Sequence, residues 1–223
     1  SSSSSTTHTH RHEGDIVART VRDTIRNILR DEPNMRLDHV LQYVQERSMS
    51  TMLNYPQQGT TATVVRVIDN KLEIANLGDS SAIMCCDEFG HAIELTENHN
   101  AEKNAKERER IYRAGGHVSE SFRVENRLMI TRALGDIWGR HVGISSIPFY
   151  QIKPLDDAKF VVLASDGVWD YVSFEMVKDI VKDTLLSSID EVATEVGRAV
   201  KVRAKASGGR SDNMAVVVLV LTG

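Results

Sequence analysis

Between Thr60 and Thr96 the chain reads TTATVVRVIDNKLEIANLGDSSAIMCCDEFGHAIELT, four apolar runs separated by the pairs Asp69-Asn70, Gly78-Asp79 and Phe89-Gly90. β-Branched residues dominate the runs, and turn-forming pairs interrupt them. Connections this short cannot carry a chain back for parallel pairing, so the spacing predicts four antiparallel strands. The flanking sequence must cover such a sheet. Upstream, Ile16, Val17, Val21, Ile25, Ile28 and Leu29 recur every three or four residues until Pro33, which predicts a helix with one apolar face, and Leu37, Val40, Leu41 and Val44 predict a second. Downstream, AEKNAKERERIYRAGG predicts a helix closed by Gly115-Gly116, its mixed charges read as a solvated face. RLMITRAL, YQIKPL, KFVVLAS and MAVVVLVLT predict further strands, with two helices between Ser173 and Ala206. Strands in runs and helices in pairs predict an α+β fold of antiparallel sheet and helices in layers.

At 223 residues and 41% hydrophobic, the chain can bury one substantial core. A net charge of −4 argues against nucleic acid or an anionic membrane as partner, since both require a basic surface. No apolar run is long enough for a membrane span. The two cysteines, Cys85 and Cys86, are adjacent and point to opposite faces of a strand, which excludes a disulfide framework and suits an intracellular, cytoplasmic or nuclear protein. Residues 1–12, SSSSSTTHTHRH, form a low-complexity arm that holds three of the eight histidines and lacks the apolar stretch of a secretory signal. Its alternating histidines have the spacing of a chelate, although a flexible arm is the simpler reading.

Carboxylates stand where strands end. VVLASDGVWD runs from four core residues straight into Asp166 and then Asp170. An Asp-Gly turn with Trp169 covering the strand end would account for one of them. Asp79 follows KLEIANLG, and Asp212 precedes the last strand in GGRSDNMAVVVL. If these strand ends share one edge, the carboxylates repel one another unless a cation neutralises them. Oxygen ligands favour Mg²⁺, Mn²⁺ or Ca²⁺, and the absence of neighbouring Cys or His argues against zinc. Unrelated surface turns are the plain alternative.

Six segments, GTTAT from Gly59, IANLGDSSA from Ile74, ERERIYRAGGHV from Glu107, TRALGD from Thr131, VVLASDGVWDYVS from Val161 and GGRSDNMAVVVL from Gly208, resemble in order the metal-dependent type 2C protein serine/threonine phosphatases. The resemblance implies a four-layer α-β-β-α sandwich of two antiparallel sheets flanked by helices, with residues 13–223 as the catalytic domain. It implies Asp166 and Asp212 as ligands of two Mg²⁺ or Mn²⁺ ions, and Asp79 and Asp170, with Asp166, as ligands of a weak third. A metal-activated water then attacks the phosphorus of a phosphoserine or phosphothreonine in a phosphoprotein substrate.

The family's Asp-Gly-His-x-Gly segment aligns here with HRHEG, which places His10 at the Asp that bridges both metals and Arg11 at the Gly. His12 and Gly14 match, and His12 falls on the histidine proposed as general acid. The strands expected upstream, with a phosphate-binding Arg, have no counterpart. Imidazole offers one neutral nitrogen where two anionic oxygens are required. Two readings follow: a metal-dependent phosphatase domain of impaired activity, or an inactive pseudophosphatase that binds a protein partner. A start that differs from the parent protein's own would account for the same mismatch. A monomer is expected.

Overall fold

The computed structural model describes residues 14–86, 90–155, 158–208 and 213–221. His10, Arg11, His12, Phe89 and Asp212 lie outside the described residues. In chain order the elements are α1 (Gly14–Asp31), α2 (Leu37–Arg47), α3 (Met49–Asn54), β1 (Gly59–Thr60), β2 (Ala62–Ile68), β3 (Lys71–Leu77), β4 (Ser81–Cys85) and β5 (Ile93–Glu94). There follow α4 (Ala105–Arg113), β6 (Leu134–Gly135), β7 (Phe149–Pro154), β8 (Phe160–Ala164), α5 (Asp166–Trp169), α6 (Phe174–Leu185), α7 (Val192–Ala206) and β9 (Val216–Val220). Among the described residues no helix is long and apolar enough to cross a membrane.

The strands form antiparallel sheets in the orders β2-β3-β7 and β5-β4-β8-β9, with β1 and β6 as a separate pair. Side-chain alternation along each strand then dictates the layers. Leu72 and Ile74 of β3 meet Ala82 and Met84 of β4 and Val161 of β8 between the two sheets. The opposite face of β3, with Ala75 and Leu77, packs on Val17 and Val21 of α1, Val40, Leu41 and Val44 of α2, and Met52 of α3. The opposite face of β4 and β8, with Ile83, Cys85, Phe160 and Val162, packs on Val177 and Val181 of α6 and Val196 and Val200 of α7. Helices, sheet, sheet and helices make the four-layer sandwich that the family resemblance implies. Because β3 is covered on both faces, its one acidic residue needs partners: Glu73 accepts from the Leu37 N–H at 2.8 Å, from Tyr150 Oη at 3.1 Å and from Arg66. That carboxylate stands in for the side-chain cap that α2 lacks.

Three expectations need correction. The Asp69-Asn70 turn, with φ of 47° and 57°, does join an antiparallel pair, but Gly78-Asp79 carries the chain from one sheet to the other, so β3 and β4 are not partners. RLMITRAL is not a strand: it holds isolated bridges at Leu128, Ile130 and Arg132 and the first residue of β6, because Thr131 and Arg132 are drawn to a buried carboxylate and the backbone turns at Gly135 and Asp136, both at positive φ. The charged helix begins only at Ala105, capped by the Asn104 side chain, and it is not solvated all round.

Glu107 of α4 is only 3% exposed. It accepts from both Nε and Nη2 of Arg110 and of Arg132, and from Thr131 Oγ1 at 2.6 Å. Burial alone would raise its carboxyl; these donors outweigh it and hold the group well below the usual carboxylate range. Arg110 also donates to the Gly143 carbonyl at 2.6 Å, and Arg132 to that of Ile147 at 3.0 Å. One carboxylate thus ties α4 to the segments on either side of β6. His99, fully buried beside this cluster, is kept neutral: burial and the Arg132 charge lower its pKa to about 4.

Two outcomes follow for stability. Glu107→Gln leaves two guanidinium groups without their counter-charge and should cost about 3 kcal/mol, at the low end for a broken buried pair because Arg110 keeps some solvent; the shift in the urea-unfolding midpoint measures it. His99 binds its proton in the unfolded chain near pH 6.5 but in the folded chain only near pH 4, so its contribution is complete above pH 6.5 and is lost as the pH falls. Unfolding free energy should drop by about 2 kcal/mol between pH 7 and pH 5, and His99→Asn should remove that slope.

Candidate metal centre

The β4–β8 ladder pairs Ser81 with Ala164 at its end. Asp79 stands two residues before Ser81 and Asp166 two residues after Ala164, so both leave the ladder at this end. The antiparallel pairing itself therefore aims two carboxylates at one place. Trp169 closes the ladder: its indole N–H lies 2.8 Å from the Ala164 carbonyl and 3.2 Å from that of Ser81, and its ring meets Phe174 edge-on at 4.9 Å. Covering the strand end is the ordinary role the sequence suggested for Trp169, and here that role also fixes the helical turn carrying Asp166 and Asp170. The Asp166 carboxylate accepts from the Gly167 N–H at 2.8 Å.

Asp79 is placed by an unusual backbone. Gly78 has φ 101°, and a side chain there would run into Thr61, so only glycine fits the crossing between the sheets. A side chain at Gly59, the first residue of GTTAT, would likewise run into Asp136, the last residue of TRALGD. The two motifs pair as β1 and β6, and the next residue, Thr61, stands against Gly78.

Asp79, Asp166 and Asp170 line one cavity of about 440 Å³, together with Thr61, Asn100, Glu102, Lys103 and Arg123. Burial, and next the charge of Asp166, push the Asp79 carboxyl up, while Asn100 Nδ2, 3.3 Å from Asp79 Oδ2, works in the opposite direction. Lys103 Nζ lies 2.9 Å from Asp170 Oδ1. The donor set is hard oxygen of excess negative charge, which fits Mg²⁺ or Mn²⁺ in kind. Among the described residues, no group of three or more His, Cys, Asp or Glu is close enough to hold a metal ion by itself.

Three of the aspartates named from the sequence are thus brought to one cavity, whereas Asp212 and His12 lie outside the described residues. The Asn213 carbonyl sits where a side chain on Gly167 would go, and Ala215 exchanges hydrogen bonds of 3.1 Å each way with Ser165. Sequence reasoning missed Asn100, Lys103 and Arg123. Asn100 is 21 residues from Asp79 in a polar loop, and nothing in its spacing marks the contact.

The protein phosphatase 2C family matches residues 1–208. Protein phosphatase 1L of Bos taurus is 36% identical over 152 residues, 66% of this chain and 41% of that protein. Probable protein phosphatase 2C 28 of Arabidopsis thaliana is 37% identical over 172 residues, 74% of this chain and 48% of that protein. The chain therefore spans less than half the length of these relatives. A serine-threonine phosphatase 2C from Toxoplasma gondii shares the fold at a TM-score of 0.78 and 19% identity, over 92% of this chain and 80% of that one. A sex determining protein of C. elegans has a TM-score of 0.71 at 25% identity, over 89% of this chain and 50% of that one. On the family match, the relatives and the shared fold, the chain belongs to the protein phosphatase 2C family, whose members are metal-dependent serine/threonine phosphatases.

Proposed function

We propose that the chain is a Mg²⁺- or Mn²⁺-dependent phosphoprotein phosphatase domain of reduced turnover, with Asp166 and Asp212 as its principal cation ligands and Asp79 and Asp170 beside them. The observation that carries this reading is that Asp79, Asp166 and Asp170 line one cavity, just beyond the last pair, Ser81↔Ala164, of the β4–β8 ladder. Bound there, the cations would supply an acidified water and neutralise charge on the phosphoryl oxygens. The chain's own residues do the rest. Asp166 is held by the turn of α5, and Asp79 is oriented by Asn100. Lys103, now on Asp170, and Arg123 place two cations at the cavity wall, where an incoming phosphate dianion needs them. His12, on the residues that match the family's segment, is the candidate proton donor to the leaving serine or threonine oxygen.

Reduced turnover follows from His10 and Arg11. At the positions the family resemblance gives them, an imidazole would offer one nitrogen where two anionic oxygens are needed to bridge two cations, and a guanidinium would repel them. A second reading, a domain that binds phosphorylated partners without hydrolysing them, is favoured by the same two residues.

Phosphate release from a phosphothreonine peptide, measured with and without Mn²⁺, tests the proposal. Slow Mn²⁺-dependent release is expected from the chain. His10→Asp combined with Arg11→Gly should raise it by about two orders of magnitude, the worth of one preorganised electrostatic element. Adding Asp166→Asn should abolish it. Turnover that survives Asp166→Asn would overturn the ligand assignment. Peptide binding with no release from either the chain or the double variant would establish the second reading instead.

A further inference from the structure

His99 is not among the residues that line the cavity, yet it holds the chain next to Asp79 from two sides. The Gly78 N–H donates to His99 Nδ1 at 3.1 Å, and the His99 N–H donates to the Gly78 carbonyl at 3.0 Å. The two bonds close a ring around one residue, Gly78, gripping the peptide on each side of its Cα. Glycine is the residue with most backbone freedom to lose, and Gly78 holds a conformation that other residues rarely adopt, so a clamp at this point determines where Asp79 begins.

His99 is anchored in turn. Its carbonyl accepts from the Thr131 N–H at 2.8 Å. Thr131 Oγ1 lies 2.6 Å from Glu107 Oε2 and 3.0 Å from the same carbonyl, and its single proton serves the carboxylate, the closer and charged acceptor. Continuous bonds therefore run from the Arg110–Glu107–Arg132 cluster through Thr131 and His99 to Gly78. The next residue, Asn100, reaches Asp79 directly, so residues 99 and 100 grip the crossing through its backbone and its carboxylate together.

The tautomer shows what the imidazole is for. Nδ1 accepts a backbone N–H, so the proton of the neutral ring sits on Nε2, and that nitrogen is buried with no partner among the described residues. An unsatisfied buried donor is destabilising. An apolar side chain would avoid that cost, but it could not accept the Gly78 N–H. We infer that His99 is a positioning residue for Asp79, coupling the buried Glu107 cluster to the cavity through its ring with Gly78. The inference rests on the metal-centre reading only for the role of Asp79; the mechanical link belongs to the metal-free chain.

Substitutions that separate acceptor geometry from bulk test it. Asparagine puts an oxygen near the position of Nδ1, glutamine reaches instead toward Nε2, and leucine offers no acceptor. Amide hydrogen exchange on the metal-free protein, followed at Gly78 and Asp79, should accelerate about tenfold in His99→Leu and His99→Gln, the equivalent of one lost buried hydrogen bond, and stay near the parent rate in His99→Asn. Amides of Val161 to Leu163 report whether the fold is intact. Mn²⁺ affinity by calorimetry should fall about tenfold in the first two variants and hold in the third. Unchanged exchange at Gly78 in His99→Gln and His99→Leu, or equal acceleration in all three variants, would overturn the inference. A parent chain that gives no Mn²⁺ isotherm would overturn the metal-centre reading, and the exchange rates would still decide the role of His99.

Discussion

Two carboxylates at the end of one antiparallel ladder repel each other, and the fold holds them there. In water such groups would separate or take up a proton. Here Ser81↔Ala164 sets the register, Trp169 locks its end, and the Gly78 crossing leaves Asp79 no other exit from β3. The upward shift of the Asp79 carboxyl, caused by burial and then by Asp166, expresses that constraint electrostatically. On the function proposed above, a divalent cation would turn the same constraint into affinity.

The two sides of the site are supported differently. Asp166 and Asp170 rest on the main apolar core, since α5 is packed through Val168 between β8 and the helices α6 and α7. Asp79 rests on a polar framework: the Gly78 clamp from His99, the amide of Asn100, and behind them the Glu107 cluster with its two arginines. Apolar packing tolerates small volume changes, but a hydrogen-bonded network loses its geometry when one member goes. Substitutions behind Asp79 should therefore reach the site more sharply than substitutions of equal cost behind Asp166.

Much of this could be read from residue patterns, because layers follow from periodicity. Ile16 to Leu29 specify α1, and the alternation in KLEIANLG and KFVVLAS specifies which residues face which layer. The shared cavity of Asp79 and Asp166 was legible for the same reason, since a buried run that stops in a carboxylate marks an edge. The limits are also physical. The short Gly78-Asp79 link looks like any hairpin, and only the packing of Leu72 and Ile74 against Met84 and Val161 reveals that it joins two sheets. Glu107 looked like one more charge on a solvated helix, because its arginine and threonine partners at 131 and 132 are distant in sequence. His99 carried no signal at all, its value lying in one backbone N–H.

The central claim is that Asp79 and Asp166 are held together against their own repulsion to bind a divalent cation. Thermal unfolding of the chain and of Asp79→Asn, each with and without Mn²⁺, tests it most directly. Neutralising Asp79 should raise the metal-free Tm by relieving the repulsion, and should shrink the rise in Tm that Mn²⁺ brings to the parent chain. A lower metal-free Tm in Asp79→Asn together with an undiminished response to Mn²⁺ would contradict the account.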